Sequence, residues 1–159
     1  MRVGFGYDSH RFDPGRPLVL GGVHIPGAPG LTGFSDGDAV AHAVTDAILG
    51  AAGAGDIGRH FPPGDERWRD ADSIDLLERA VAIVHGLGLR VVNVDVTVIC
   101  ESPRIGPRAE AMCARLAMAM AIDADLVSVK GKTNEGMGWI GAGEGLAVHA
   151  VALVDSGHA

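Results

Sequence analysis

Apolar and polar residues alternate along residues 91–100: Val92, Val94, Val96, Val98 and Cys100 share one parity, and Asn93, Asp95 and Thr97 the other. A period of two predicts a strand with one face packed and a polar face turned to solvent or to a subunit interface. Between residues 37 and 51 the period lengthens. Val40, Ala43, Val44, Ala47, Ile48 and Ala51 recur at three and four, which predicts a helix with Ser35 or Asp36 placed to cap it. A second helix is expected from about Ser73, with Asp72 and Asp75 at its positive end, through Leu76, Leu77, Ala80, Val81 and Val84 to Gly86. A third spans about Pro107 to Ala121. Short extended segments at Arg2–Tyr7, Pro17–Leu20 and Val23–Ile25 look like a hairpin, and Leu126–Val129 and Gly145–Val154 are further strands. Asp56 to Asp65 reads as a polar loop or lid. Single strands alternating with helices predict an α+β or α/β sandwich, one mixed sheet covered by helices.

The 159 residues are expected to form one domain spanning 1–159. Hydrophobic residues make up 47% with only four Phe, two Trp and one Tyr, so Ala, Val, Leu and Ile must build the core. A net charge of −7 with no Lys/Arg run argues against a nucleic-acid surface. No apolar run of 18 residues and no leader pattern signal a membrane or export, so a cytoplasmic protein is expected. Cys100 and Cys113, outside any CxxC spacing, read as reduced core residues.

Candidate chemistry sits in Asp8-Ser9-His10 and at His42. Residues i and i+2 of a strand share a face, so Asp8 and His10 converge if that segment is extended. Two imidazoles and a carboxylate suit zinc with a position left open, though the set leaves Zn²⁺, Mn²⁺ and Co²⁺ undecided, and surface or capping roles remain the alternative. Asp38 and Asp46, four residues either side of His42, share its face and are placed either to orient its ring or simply to form a solvated helix face with it. Gly131-Lys132-Thr133-Asn134-Glu135-Gly136 follows a strand and suits phosphate, but it lacks Walker A spacing, and a glycine hairpin with surface charges is the alternative. With no GxSxG elbow or active-site Cys context, what remains is metal-assisted chemistry at phosphate.

Seven segments carry a family resemblance in order and spacing: residues 4–10, Ser35-Asp36-Gly37-Asp38 with His42, 45–50, Gly55-Asp56-Ile57-Gly58 with Phe61-Pro62, Ala71-Asp72-Ser73, 93–97 and Gly143-Glu144-Gly145. The chain resembles the 2-C-methyl-D-erythritol 2,4-cyclodiphosphate synthases of the non-mevalonate isoprenoid pathway. The resemblance implies closure of 4-diphosphocytidyl-2-C-methyl-D-erythritol 2-phosphate to the cyclodiphosphate with loss of CMP. It also implies sheets of three subunits packed around a trimer axis, with active sites between subunits.

By the same resemblance Asp8, His10 and His42 hold Zn²⁺, and Glu135 partly holds a second ion, Mg²⁺ or Mn²⁺. Asp56, Ile57 and Gly58 bind the methylerythritol, bordered by Phe61, Pro62, Pro63, Gly64 and Asp65. Cys100, Glu101, Ser102, Pro103, Arg104, Ile105 and Gly106, with Lys132, line a cytidine pocket. Ser9, Ser35, Asn134, Trp139 and Ala142 also contact substrate, and Thr133 helps stabilise the transition state. Two departures stand out. Phe34 occupies the position of a family His near the reacting phosphates, leaving the backbone N–H as the only donor there. Ala142 replaces an Arg that pairs with the family's Glu, so Glu144 is expected to lack that partner and isoprenoid diphosphates to bind weakly. Among the other histidines, His149 reads as a core or interface group, His24, His85 and His158 as peripheral, and His60 as the one candidate substrate contact. The rival classes are a mononuclear zinc phosphohydrolase and a non-catalytic trimeric metal- or isoprenoid-binding module.

Overall fold

A computed structural model describes residues 1–156. The elements run β1 (Arg2–Leu20), β2 (Val23–Leu31), α1 (Ala39–Ala52), α2 (Ile57–His60), α3 (Ser73–Gly86), β3 (Arg90–Ile99), α4 (Gly106–Met120), β4 (Val127–Lys132), α5 (Gly138–Gly141) and β5 (Gly145–Asp155). The five strands form one sheet in the order β2-β1-β5-β3-β4, and only β3 and β4 run parallel. The sheet is therefore mixed, as the pattern predicts. The two short segments expected within residues 2–20 are one strand instead. Its first half pairs with β5 and its second half turns to pair with β2, so Pro14 and Gly15 bend the strand without ending it.

Helices cover one face of the sheet. Val94, Val96, Val98, Leu146, Val148, Ala150, Ala152 and Val154 are buried beneath α1, α3 and α4, in a core that is mostly aliphatic. The opposite face of the sheet carries exposed Val3, Phe5, Tyr7 and Val151. On that face His149 lies between the rings of Phe5 and Tyr7, and Asp95 pairs with Lys130 across β3 and β4. The Lys130 ammonium draws the Asp95 carboxyl below its usual range, outweighing partial desolvation. Val92 does not share the inward face with Val94. β3 pairs Val91 with Val154 and Asn93 with Leu153, and the bulge buries Val91 while Val92 is only half-buried.

Asp38, not Ser35 or Asp36, caps α1. Its Oδ1 accepts from the N–H groups of Val40 and Ala41 at 3.0 Å each and of Gly21 at 2.8 Å, while Oδ2 accepts from Gly22 at 2.7 Å. One fully buried carboxylate thus ties the β1–β2 turn to the start of α1. Asp38→Asn keeps one oxygen but turns an amide N–H toward a donor. That exchange is expected to cost about 2 kcal/mol, read as a lower urea midpoint at unchanged slope.

Candidate active site

Asp8 and His10 project from the helix-covered face of β1, next to α1. There they meet His42, one turn into that helix. Asp8 Oδ2 lies 3.0 Å from His10 Nδ1 and 3.1 Å from His42 Nδ1, and one ligating atom from each of the three residues falls within 4.8 Å of the others. Across the ring, His42 Nε2 is 2.9 Å from Ser73 Oγ and 3.1 Å from Ser35 Oγ. Burial alone would raise the Asp8 carboxyl, but the two imidazoles outweigh it and leave it below the usual carboxylate range. Burial alone would lower His42, but the Asp8 carboxylate outweighs it, helped by Asp38 and Asp36, and holds His42 above the ordinary imidazole value.

A divalent cation fits this arrangement. His10 Nδ1 is buried and, although close to Asp8, makes no hydrogen bond of acceptable angle. A buried nitrogen left orphaned beside an anionic oxygen and a second imidazole is a ligand set suited to zinc. The proton held by His42 must leave as such an ion binds. Raised His42 is charged below its shifted value and neutral above it, so Zn²⁺ affinity is expected to fall about tenfold per pH unit on the acid side, measured by calorimetry across that range.

Two cavities flank this end of the sheet. One, of about 270 Å³, is lined by Asp8, His10, Phe34, Ser35, His42, Ile57, Gly58, Phe61, Pro63, Trp68 and Leu76. Asp46 builds part of its wall by accepting the Ile57 N–H at 2.7 Å, which fixes the start of α2. The other, of about 300 Å³, is lined by residues 100–107 except Ser102, with Gly131, Lys132 and Thr133. The pairings Ser9–Ala147, Ala147–Ile99 and Ile99–Lys132 put both at one level of the sheet. Two strands separate β1 from β4, so the cavities stand roughly 14 Å apart and share no lining residue.

A protein-family model described as the YgbB family matches residues 1–155. The chain belongs to the YgbB family. A relative from Symbiobacterium thermophilum named 2-C-methyl-D-erythritol 2,4-cyclodiphosphate synthase is 54% identical over 154 residues, covering 97% of this chain and 98% of its own. A solved structure of a synthase of that name, in a form bound to CDP, is 39% identical with a TM-score of 0.88, covering 97% of this chain and 100% of its own. The bifunctional IspDF of Campylobacter jejuni is 40% identical with a TM-score of 0.93, covering 96% of this chain and 42% of that longer one.

Several residues of this YgbB-family chain are placed differently from expectation. Asp38 and Asp46 do not orient His42, because both carboxylates are spent on backbone N–H groups. Ser35, Ser73 and, behind Ser73, Asp36 surround its outer nitrogen instead. Asp56 caps α2 through Arg59 N–H, Asp65 is bound to Arg67, and neither they, Pro62 nor Gly64 lines the cavity. His60 Nε2 donates to the Ala54 carbonyl at 2.9 Å, anchoring α2 rather than facing the cavity. Ser9, on the other parity of β1 from Asp8 and His10, is absent from the lining of the first cavity and instead lines a third, of about 200 Å³, together with His10, Arg11, Trp139 and Glu144. Glu144 has a partner after all: Arg11 Nη1 lies 3.3 Å from its Oε2, since pairing of Arg11 with Gly145 sets the two side by side. His158 lies outside the described residues.

On the second cavity's rim, Glu101 Oε1 accepts from Asn134 N–H at 2.8 Å and Gly136 N–H at 3.3 Å, holding the loop that carries Glu135. Thr133 Oγ1 donates to Glu135 Oε1 at 3.1 Å. Glu135 joins no cluster of three ligating side chains among the described residues. Phe34 gives the first cavity a ring, stacked 4.8 Å beneath the Arg69 guanidinium, and no side-chain proton donor. Sequence reading also missed Arg16, which clamps the carbonyls of Gly33 and Ser35, and Trp68, edge-on to Phe61 at 5.1 Å.

Proposed function

We propose that this chain is a metal-dependent cyclodiphosphate synthase, a phosphorus–oxygen lyase that closes 4-diphosphocytidyl-2-C-methyl-D-erythritol 2-phosphate to 2-C-methyl-D-erythritol 2,4-cyclodiphosphate with release of CMP. The observation that carries the reading is the pair of cavities at one level of the sheet. One holds the open Asp8, His10 and His42 set, and the other is a Lys132-bearing pocket. The CDP-bound synthase of similar fold supports a cytidine diphosphate ester as substrate. The attacking 2-phosphate is already anionic and needs no strong base, so the work lies in alignment and in neutralising charge.

In this reading a Zn²⁺ ion held by Asp8, His10 and His42 supplies positive charge to a phosphate oxygen when bound. Glu135 contributes to a second site for Mg²⁺ or Mn²⁺. Ile57, Gly58, Phe61 and Pro63 exclude water from the methylerythritol. The 100–106 segment and Lys132 receive the cytidine and its phosphates. Thr133 and the Phe34 backbone N–H donate toward charge as it develops.

Neither cavity alone serves the whole substrate, and the exposed Val3, Phe5, Tyr7 and Val151 face is available for self-association. We infer a homotrimer in which one subunit's triad meets the partner's second cavity. Sedimentation as a monomer at micromolar concentration contradicts that assembly. The working compartment in this reading is the cytoplasm; both cysteines are unpaired, and no described helix is long and apolar enough to cross a membrane.

Phosphorus NMR of a reaction with the cytidylyl substrate tests the activity. Cyclodiphosphate and CMP are expected, and their formation stops on chelation. Inorganic phosphate as the product would make the chain a hydrolase instead.

A further inference from the structure

We propose that Ser73, backed by Asp36, sets the tautomer of His42 and so decides which ring nitrogen faces Asp8 and His10. Ser73 is the first residue of α3 and is wholly buried. Its backbone N–H donates to Asp36 Oδ2 at 3.0 Å, and its hydroxyl sits in short contact with Asp36 Oδ1. An ionised carboxylate only accepts, and a serine hydroxyl has one hydrogen to give. That hydrogen goes to Asp36.

What Ser73 Oγ then offers His42 Nε2, 2.9 Å away, is a lone pair. With the Ser35 hydroxyl giving its own hydrogen to Ser73 Oγ, 3.4 Å away, the proposal places the ring hydrogen on Nε2, so that the neutral ring keeps its lone pair on Nδ1, 3.1 Å from Asp8 Oδ2. Two acceptors facing one another at that distance call for a positive charge between them: a proton on Nδ1 while the ring is charged, or a metal ion that takes that proton's place. Ser35 Oγ, 3.1 Å from the same Nε2, is held by the Gly37 N–H at 3.4 Å and lies 3.4 Å from Ser73 Oγ. Ser73 is nearer, fully buried and tied at two points to a charged group. It is a positioning residue, acting on the metal site through His42.

The proposal rests on the reading of Asp8, His10 and His42 as metal ligands. Its test is a competition titration of Zn²⁺ against a chromophoric chelator with the full chain and its Ser73→Ala, Ser73→Thr and Asp36→Asn variants. Nitrogen-15 spectra of the His42 ring and melts of the chelator-treated proteins accompany it. Ser73→Ala is expected to weaken zinc binding by about 10- to 100-fold and Ser73→Thr to stay within about threefold of the parent. Asp36→Asn falls between them. The parent's His42 should show a protonated Nε2, and Ser73→Ala a mixture of tautomers at an unchanged metal-free melting temperature.

Parent-like zinc affinity in Ser73→Ala, or a parent His42 whose neutral ring carries its hydrogen on Nδ1, overturns the proposal alone. So does an affinity loss that merely tracks a collapsed melting temperature with the tautomer unchanged. A parent chain that binds no zinc overturns the ligand reading and this proposal with it.

Discussion

His42→Ala is expected to lower turnover of the cytidylyl substrate by about 10³-fold or more while leaving the protein folded. Activity is lost for a geometric reason. His42 Nδ1 is one of two nitrogens set against the single oxygen Asp8 Oδ2, and its removal leaves two ligands where a stably held ion needs at least three. Zn²⁺ affinity should fall with turnover, since both depend on the same nitrogen. The fold survives for an equally local reason. Position 42 lies inside α1, where alanine is the best helix former, and its ring reaches into a cavity rather than the aliphatic core. Metal content by mass spectrometry, steady-state rates and a thermal melt of the chelated protein separate the two effects. Turnover that survives both His42→Ala and chelation would remove the metal from the mechanism altogether.

The ligating triad was legible in the sequence because strand parity and helix periodicity put Asp8, His10 and His42 on the right faces without any knowledge of their surroundings. Their support was not. Asp38 and Asp46 share a helix face with His42, and spacing alone favours them, but nothing local reveals that Gly21, Gly22 and Ile57 will bring backbone N–H groups to those carboxylates. Ser73 reaches His42 from 31 residues away through the docking of α3. Its one sequence signal is that a small hydroxyl residue stands at the first position of a helix already capped by Asp72. Glu144 illustrates the same limit. The replacement of an expected arginine at Ala142 is visible in the sequence, whereas compensation by Arg11 depends on the β1–β5 register.

Strong periodicity carried the fold: α1, α3, α4, β3 and β5 stand within a few residues of where the pattern puts them. The misses fall where tertiary pairing overrides the local signal. β1 continues through Pro14 and Gly15 because each half finds a different partner strand. β4 runs on to Lys132, so part of the segment read as a phosphate loop is strand. The four-residue helices α2 and α5 are too short for any period to show.

Gly6→Ala is expected to damage the fold more than any substitution at the metal site. Gly4 and Gly6 lie on the face of β1 that α1 covers, against the Ala43, Ala47 and Ala51 stripe of that helix. A Cβ at Gly6 would sit 1.9 Å from the Ala43 carbonyl oxygen and 2.9 Å from Ala47 N; at Gly4 it would sit 1.9 Å from the Ala47 carbonyl oxygen. Those atoms belong to the helix backbone, so no rotamer change relieves the clash, and α1 must move off the sheet. Moving it opens the aliphatic core and withdraws His42 from Asp8 together. The cost is expected to reach at least about 3 kcal/mol, which for a chain of this length lowers the melting temperature by roughly 10 °C. Zn²⁺ affinity should fall in the same variant, although Gly6 touches no ligand. Gly50→Ala is the control: it too adds one methyl inside α1, but its Cβ meets nothing within 4 Å, so metal binding should stay parental and the melting temperature should hold or rise by a few degrees. A Gly6→Ala protein as stable as the parent would mean that α1 does not lie against β1 this closely.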